Sequence, residues 1–154
     1  MASQAEHPYT RQDYLISVSS TSTACPWIRG DHNRERLALL GVLDGDWGLA
    51  VHLALVAMAG ELGMDIDLPL IPGSAGLKPN QKLYSESCGR FVITVAPRKK
   101  ERFEEIFSGM NMERVGAITE PPLFTIRSDK GEPIIREDVF RLKDLWKRPF
   151  GELI

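Results

Sequence analysis

Apolar and small polar residues alternate along Tyr14-Leu15-Ile16-Ser17-Val18-Ser19, the period-two pattern of a strand with one buried face. A Ser/Thr-rich loop follows, and Cys25-Pro26-Trp27 reads as an apolar turn that docks Trp27 on the core. Arg29 to Asn33 is turn-like, with Asp31 or Asn33 able to accept from the first free amides of a short helix through Leu40. From Gly48 to about Leu62 the chain is Leu, Ala, Val and Met on most sides, which predicts a helix buried against a sheet. Asp65 to Pro69 reads as a short extended segment, and Ile71 to Gln81, with two prolines and two glycines, as a loop.

The pattern then returns to period two through Phe91-Val92-Ile93-Thr94-Val95, with Phe91, Ile93 and Val95 on one face and Val92 and Thr94 on the other. Pro97 suits a first helical turn, and Phe103, Ile106 and Phe107 put an apolar stripe on Lys99 to Phe107. Met112 to Thr119 and Leu123 to Arg127 read as strands, Asp129-Lys130-Gly131 as a turn, and Ile134-Ile135 as a continuation of the β region. Val139, Leu142, Leu145 and Trp146 then give a last helix one apolar face. This order predicts an α/β (α+β) sandwich, with helices packed on a mixed, largely antiparallel sheet.

Candidate chemistry sits at the mouth of the Phe91 strand. Ser85, Glu86, Ser87 and Arg90 combine hydroxyls, a carboxylate and a guanidinium fork, a set able to hold an anion or a polar amide. The alternative is that Ser85 caps a turn while Glu86 and Arg90 pair on the surface; under either reading Arg90→Ala is expected to cost about 1 kcal/mol or less. A second candidate is the turn Asp44-Gly45-Asp46-Trp47-Gly48, whose glycines permit a tight bend and whose following helix would face its first amides toward an anion. The turn fits neither the P-loop nor the dinucleotide fingerprint, and its two aspartates repel a phosphate unless a metal intervenes. His32 is a turn residue without the neighbouring ligands that a metal site needs, and His52 reads as a satisfied core or boundary histidine, so no metal ligand and no catalytic residue is assigned.

Composition narrows the function classes. The 154 residues suit one domain, taken as 13–154 behind a polar lead-in over 1–12. With 43% hydrophobic and 26% charged residues and a formal net charge of -2, the balance is that of an ordinary globular chain. The basic run Arg98-Lys99-Lys100 is cancelled by Glu101, Glu104 and Glu105, so nucleic acid is not an expected partner. The longest apolar region, Gly48 to Gly63, is interrupted by His52 and Glu61 and falls short of the roughly 20 residues that span a bilayer. Two cysteines, Cys25 and Cys88, show neither a disulfide framework nor metal-ligand spacing, and the expected location is the cytoplasm.

Ser85-Glu86-Ser87-Cys88-Gly89-Arg90-Phe91-Val92 resembles the Ser-Glu-Ser-x-x-Arg segment in the C-terminal half of the phosphoribosylformylglycinamidine synthase family. Asp44-Gly45-Asp46-Trp47-Gly48-Leu49-Ala50 is similar to that family's Asp-Gly-Gly-Leu-Ala turn, and Arg114-Val115-Gly116-Ala117-Ile118-Thr119 to its Ile-Gly-x-Val-Thr strand. Asp46-Trp47 splits the glycines, a departure from the family turn, and the likeness runs from roughly Gly41 to Arg148.

The resemblance implies a C-terminal domain of the aminoimidazole ribonucleotide synthetase type, a three-layer α-β-α unit partly similar to the ferredoxin-like fold. It also implies that this domain packs on an ATP-binding domain of the same enzyme. The whole ligase uses ATP and magnesium to convert formylglycinamide ribonucleotide to its amidine, with ammonia from a glutamine amidotransferase subunit. Its catalytic histidine lies in the nucleotide-binding domains, so the resemblance makes the isolated chain inactive, without a cofactor of its own. Ser85, Glu86, Ser87 and Arg90 become ligand- or interface-adjacent, and Asp44, Gly45 and Gly48 an anion-facing turn. Two other readings stay open: a stand-alone interaction or regulatory module on the same fold, and another synthetase or kinase of the superfamily, such as the hydrogenase-maturation or thiamine-phosphate branches.

Overall fold

The computed structural model describes residues 14–19, 47–85 and 90–153. Six strands form one sheet: β1 (Tyr14–Ser19), β2 (Gly63–Asp67), β3 (Arg90–Val95), β4 (Asn111–Thr119), β5 (Leu123–Arg127) and β6 (Pro133–Asp138). Their order across the sheet is β3-β1-β4-β2-β5-β6. Every neighbouring pair is antiparallel except β2 and β5, which run parallel with Asp65 beside Thr125 and Asp67 beside Arg127. The expected mixed, largely antiparallel sheet is therefore present. The predicted lead-in over 1–12, the Trp27 turn, the short helix through Leu40 and both cysteines lie outside the described residues.

Among the described residues four α-helices cover the sheet: α1 (Gly48–Gly60), α2 (Pro79–Tyr84), α3 (Lys100–Ile106) and α4 (Val139–Lys147). Alternation along β3 separates the layers, because Val92 belongs to one apolar cluster and its neighbours Ile93 and Val95 to another. On the first face Leu49, Leu53 and Ala57 of α1, Leu83 of α2 and Val139 of α4 pack on Met64, Ile66, Phe124 and Ile126 of the central strands. On the second face α3 brings Phe103, with Phe107 just beyond its end, onto Ile93 and Val95; the two rings stack with centroids 4.4 Å apart. The result is the three-layer α-β-α sandwich anticipated from the sequence.

Local chemistry sets the element ends. α1 stops at Glu61, whose left-handed backbone (φ 54) closes the last turn at some cost for a residue with a Cβ. α4 starts at Asp138, which accepts from the Arg141 amide at 2.9 Å. Two stretches depart from expectation: the extended segment read over Asp65 to Pro69 is a strand only to Asp67, with a 3-10 turn over Leu68–Leu70, and α2 occupies Pro79–Tyr84, so the predicted loop from Ile71 ends before Gln81. Pro79 fixes the first helical φ, and Gln81 Oε1 accepts from the Lys78 amide at 2.9 Å, so six largely polar residues still turn.

The last helix also differs in burial. Val139 is fully covered, whereas Leu145 and Trp146 remain 44% exposed, with Trp146 meeting Trp47 edge to face at 6.4 Å. Together with Val51, Leu55 and Tyr84 they wall an apolar groove of about 420 Å³ between α1 and α4.

Candidate functional site

The two segments singled out in the sequence meet in space. Gly48 opens α1 with φ +76, and a Cβ built there would lie 2.5 Å from Tyr84 Cα and 2.8 Å from the Leu83 carbonyl oxygen. Only glycine allows the start of α1 to press this closely on the end of α2. Ser85 follows at once, its amide donating to the Gln81 carbonyl at 2.9 Å. Its Oγ is buried and has no hydrogen-bond partner among the protein atoms, which leaves it open to a water or a ligand.

Arg90 begins β3, beside Ser19 at the end of β1. It is 5% exposed, so the surface pairing considered for it is excluded. The physical reason lies in strand parity: Arg90 shares the face of Val92 and Thr94, which are also buried. Glu86 and Ser87 of the motif, and Asp44 and Gly45 of the upstream turn, lie outside the described residues. Of the predicted site residues, Gly48, Ser85 and Arg90 are thus placed, the first two against a common stretch of α2.

Lys82 was not anticipated. It sits on α2, 7% exposed, with Nζ 3.5 Å from Asp129 Oδ1 in the β5–β6 turn. Lys82 and Arg90 are the buried cations among the described residues. Pro79 could have signalled the helix, but nothing in the sequence marks which α2 residue turns inward. His52 is bound locally, its Nδ1 2.9 Å from the Gly48 carbonyl one turn back. That contact fits the boundary role expected of it. The described residues bring together no group of three His, Cys, Asp or Glu able to hold a metal ion, and no described helix is long and apolar enough to cross a membrane.

The best-formed ion pair lies on the other face. Arg127 Nε and Nη2 donate to Asp65 Oδ1 and Oδ2, both at 2.8 Å, and Nη1 reaches the Gly131 carbonyl at 3.3 Å. The hydrogen bond to Asp65 and then its charge raise the Arg127 pKa; desolvation opposes them, and the charge of Asp67 adds the smallest push upward.

Residues 44–129, more than half of the 154-residue chain, match the family described as AIR synthase related protein, C-terminal domain. The chain belongs to this family. The AIR synthase related match begins at the Asp44 turn and includes Gly48, Ser85 and Arg90. Among curated relatives, phosphoribosylformylglycinamidine synthase subunit PurL of Thermococcus sibiricus is 31% identical over 99 residues, which cover 64% of this chain and 13% of that protein. The PurL of Carboxydothermus hydrogenoformans is 33% identical over 104 residues, covering 66% of this chain and 14% of that protein.

The aligned region is thus a small fraction of these relatives' length. Among solved structures, Thermotoga maritima PurL complexed with ADP superposes with a TM-score of 0.63 at 21% identity, covering 85% of this chain and 25% of that one. A HypE–HypF complex gives 0.60 at 15% identity over 84% of this chain and 54% of that one. At such identities the structural likeness establishes the AIR synthase related fold alone.

Proposed function

We propose that this chain acts as the C-terminal domain of a phosphoribosylformylglycinamidine synthase, the ATP-dependent ligase that converts formylglycinamide ribonucleotide to its amidine in purine biosynthesis, and that it is inactive alone. The observation that carries the reading is the family match across 44–129, joined to relatives named for this enzyme at 31% and 33% identity. The Thermotoga maritima protein has been solved with ADP and with ATP, and within a PurLQS assembly. By analogy, the partners of this domain are an ATP-binding domain of the same enzyme and, indirectly, a glutamine amidotransferase subunit, all in the cytoplasm. Bound ATP and magnesium supply the phosphoryl group and the charge neutralisation for its transfer.

Within that enzyme the reading makes Ser85, Glu86, Ser87 and Arg90 ligand- or interface-adjacent, and Asp44, Gly45 and Gly48 an anion-facing turn. Ser85 Oγ is buried without a protein acceptor or donor, and the Arg90 guanidinium is held at a strand end. A fork of donors and a free hydroxyl orient a polar ligand or a facing domain; neither is a base.

The test is reconstitution. The purified chain with ATP, magnesium, formylglycinamide ribonucleotide and ammonia is expected to form no ADP above a protein-free control. Addition of a separately expressed PurL ATP-binding domain is expected to give substrate-dependent ADP, reduced by Ser85→Ala. Turnover by the isolated chain that survives repurification contradicts the inactivity. Absence of both binding and turnover with the added domain removes the ligase reading.

A further inference from the structure

The sheet face that carries α3 is covered unevenly. Beyond the reach of Phe103 and Phe107, the strands β2, β5 and β6 present a cleft of about 310 Å³ to which no α3 residue contributes. Its floor follows from register. Asp65 lies beside Thr125 and Thr125 beside Arg136, so the three side chains stand abreast on one face, opposite to Met64 and Phe124. Arg127, two residues beyond Thr125, folds back onto Asp65 and is locked there by two hydrogen bonds. Pro121, Leu123 and Pro133 complete the walls.

Two guanidinium groups therefore occupy diagonal positions on adjacent strands. Arg127 has Asp65 as its counter-ion, whereas Arg136 makes no ion pair with any described residue. Arg136 stands two strand spacings, roughly 10 Å, from the Asp65 strand, and Asp65 is already engaged by Arg127. Like charges placed this way repel, and an anion seated between them relieves the repulsion. Arg127 cannot turn away from such an anion, because its Nε edge is clamped and Nη1 is tied to the Gly131 carbonyl. The apolar walls strengthen the attraction by excluding water from one side. The volume is at the lower end of the range for small-ligand sites.

We propose that this cleft binds a small oxyanion, a carboxylate or phosphate group, with Arg136 as the binding cation and Arg127, positioned by Asp65, as its fixed neighbour. The site is separate from the Ser85 and Arg90 mouth: those residues end the opposite, helix-covered face.

The experiment is a titration of the full chain, labelled with nitrogen-15, with inorganic phosphate and in a second series with succinate, at constant ionic strength. Saturable shifts of the Thr125, Arg127 and Arg136 amides are expected in at least one series; the series with the lower dissociation constant identifies the source of the oxyanion. Arg136→Ala is expected to weaken binding about tenfold, as loss of a charge-assisted contact does. Asp65→Asn separates positioning from charge. It removes a negative group, so simple attraction predicts tighter binding, whereas release of the Arg127 clamp predicts weaker binding, which is the expected result. Unsaturable shifts in both series, binding unchanged in Arg136→Ala, or tighter binding in Asp65→Asn each overturn the proposal. Spectra of both variants that superpose on wild type away from the cleft confirm that they fold.

Discussion

The two faces of the sheet solve the burial problem differently. Under α1, α2 and α4 a continuous apolar cluster joins residues from all four described strand regions between Met64 and Ile126, with Val139 closing it. Under α3 the described buried cluster consists of Ile93, Val95, Phe103 and Phe107, and over β2, β5 and β6 that face carries the polar side chains Asp65, Thr125, Arg127 and Arg136. A core spread over many elements resists loss as a unit, whereas a patch under one seven-residue helix can open by itself. The polar half has no apolar cover to lose, and it is where charge chemistry becomes possible.

A pair of truncations tests this contrast most strongly. Phe124→Ala in the large cluster is expected to cost about 4 kcal/mol, within the range for buried aromatics, and to lower the protection of slowly exchanging amides throughout the sheet. Phe103→Ala removes a comparable side chain, but its effect is expected to concentrate on α3, whose amides exchange faster while β2 and β5 keep most of their protection. Chemical denaturation combined with hydrogen exchange reads both; equal losses in the two regions for Phe103→Ala would mean that the faces are one cooperative unit.

Arg90 gives the next largest effect, because it ends the apolar face with a charge. The surface expectation of about 1 kcal/mol or less no longer applies to a residue 5% exposed, and Arg90→Ala is expected to cost about 2 kcal/mol through lost packing and a disrupted buried polar contact. Urea midpoints of wild type, Arg90→Ala and Arg90→Lys measure it, and a change in the first variant as small as that of an exposed charge would contradict the burial.

The smallest effect belongs to the polar half. Asp65→Asn removes the partner of Arg127, and both groups are partly exposed, so a modest fall in Tm that shrinks with added salt is expected. The pH dependence has a fixed sign. A folded pKa raised above the unfolded value gives Arg127 a stabilising contribution that is complete below the ordinary arginine range and fades only as pH rises through the folded value. The Arg127 contribution to the Tm difference between wild type and variant should therefore be flat between about pH 6 and pH 9. Scanning calorimetry across that interval checks it, and a steep slope would assign the effect to another group.

Much of this architecture was legible before the structure. The alternation in Leu123 to Arg127 gave β5 with its observed ends, and the apolar stripe after Val139 gave α4. Both signals are local, since the period of one element carries them. α2 was hidden because its six residues include one buried apolar side chain, Leu83, which is too few for any period to show. The burial of Lys82 and Arg90 was hidden for a different reason: it depends on what lies across from them, and a sequence records neighbours along the chain only. The same holds for the parallel β2–β5 pairing and for the cleft that it floors. The contact of Gly48 with α2 lies between these cases, since glycines in a turn are visible but the surface they press on is not.

The strand order also bears on how the chain acquires its fold. Of the paired strands described, β5 and β6 alone follow one another along the chain; β1 pairs with β3 and β4, and β2 with β4 and β5, across long intervening stretches. Each of those pairings must close a long loop before it contributes contacts, which slows folding relative to a helical bundle of similar size. β1 is the extreme case. Its partners begin at Arg90 and Asn111, so during synthesis it emerges first among the described strands and waits for both sides of its ladder. At about 5–20 residues per second that delay lasts several seconds, during which an apolar segment with two open edges is a natural client for a chaperone.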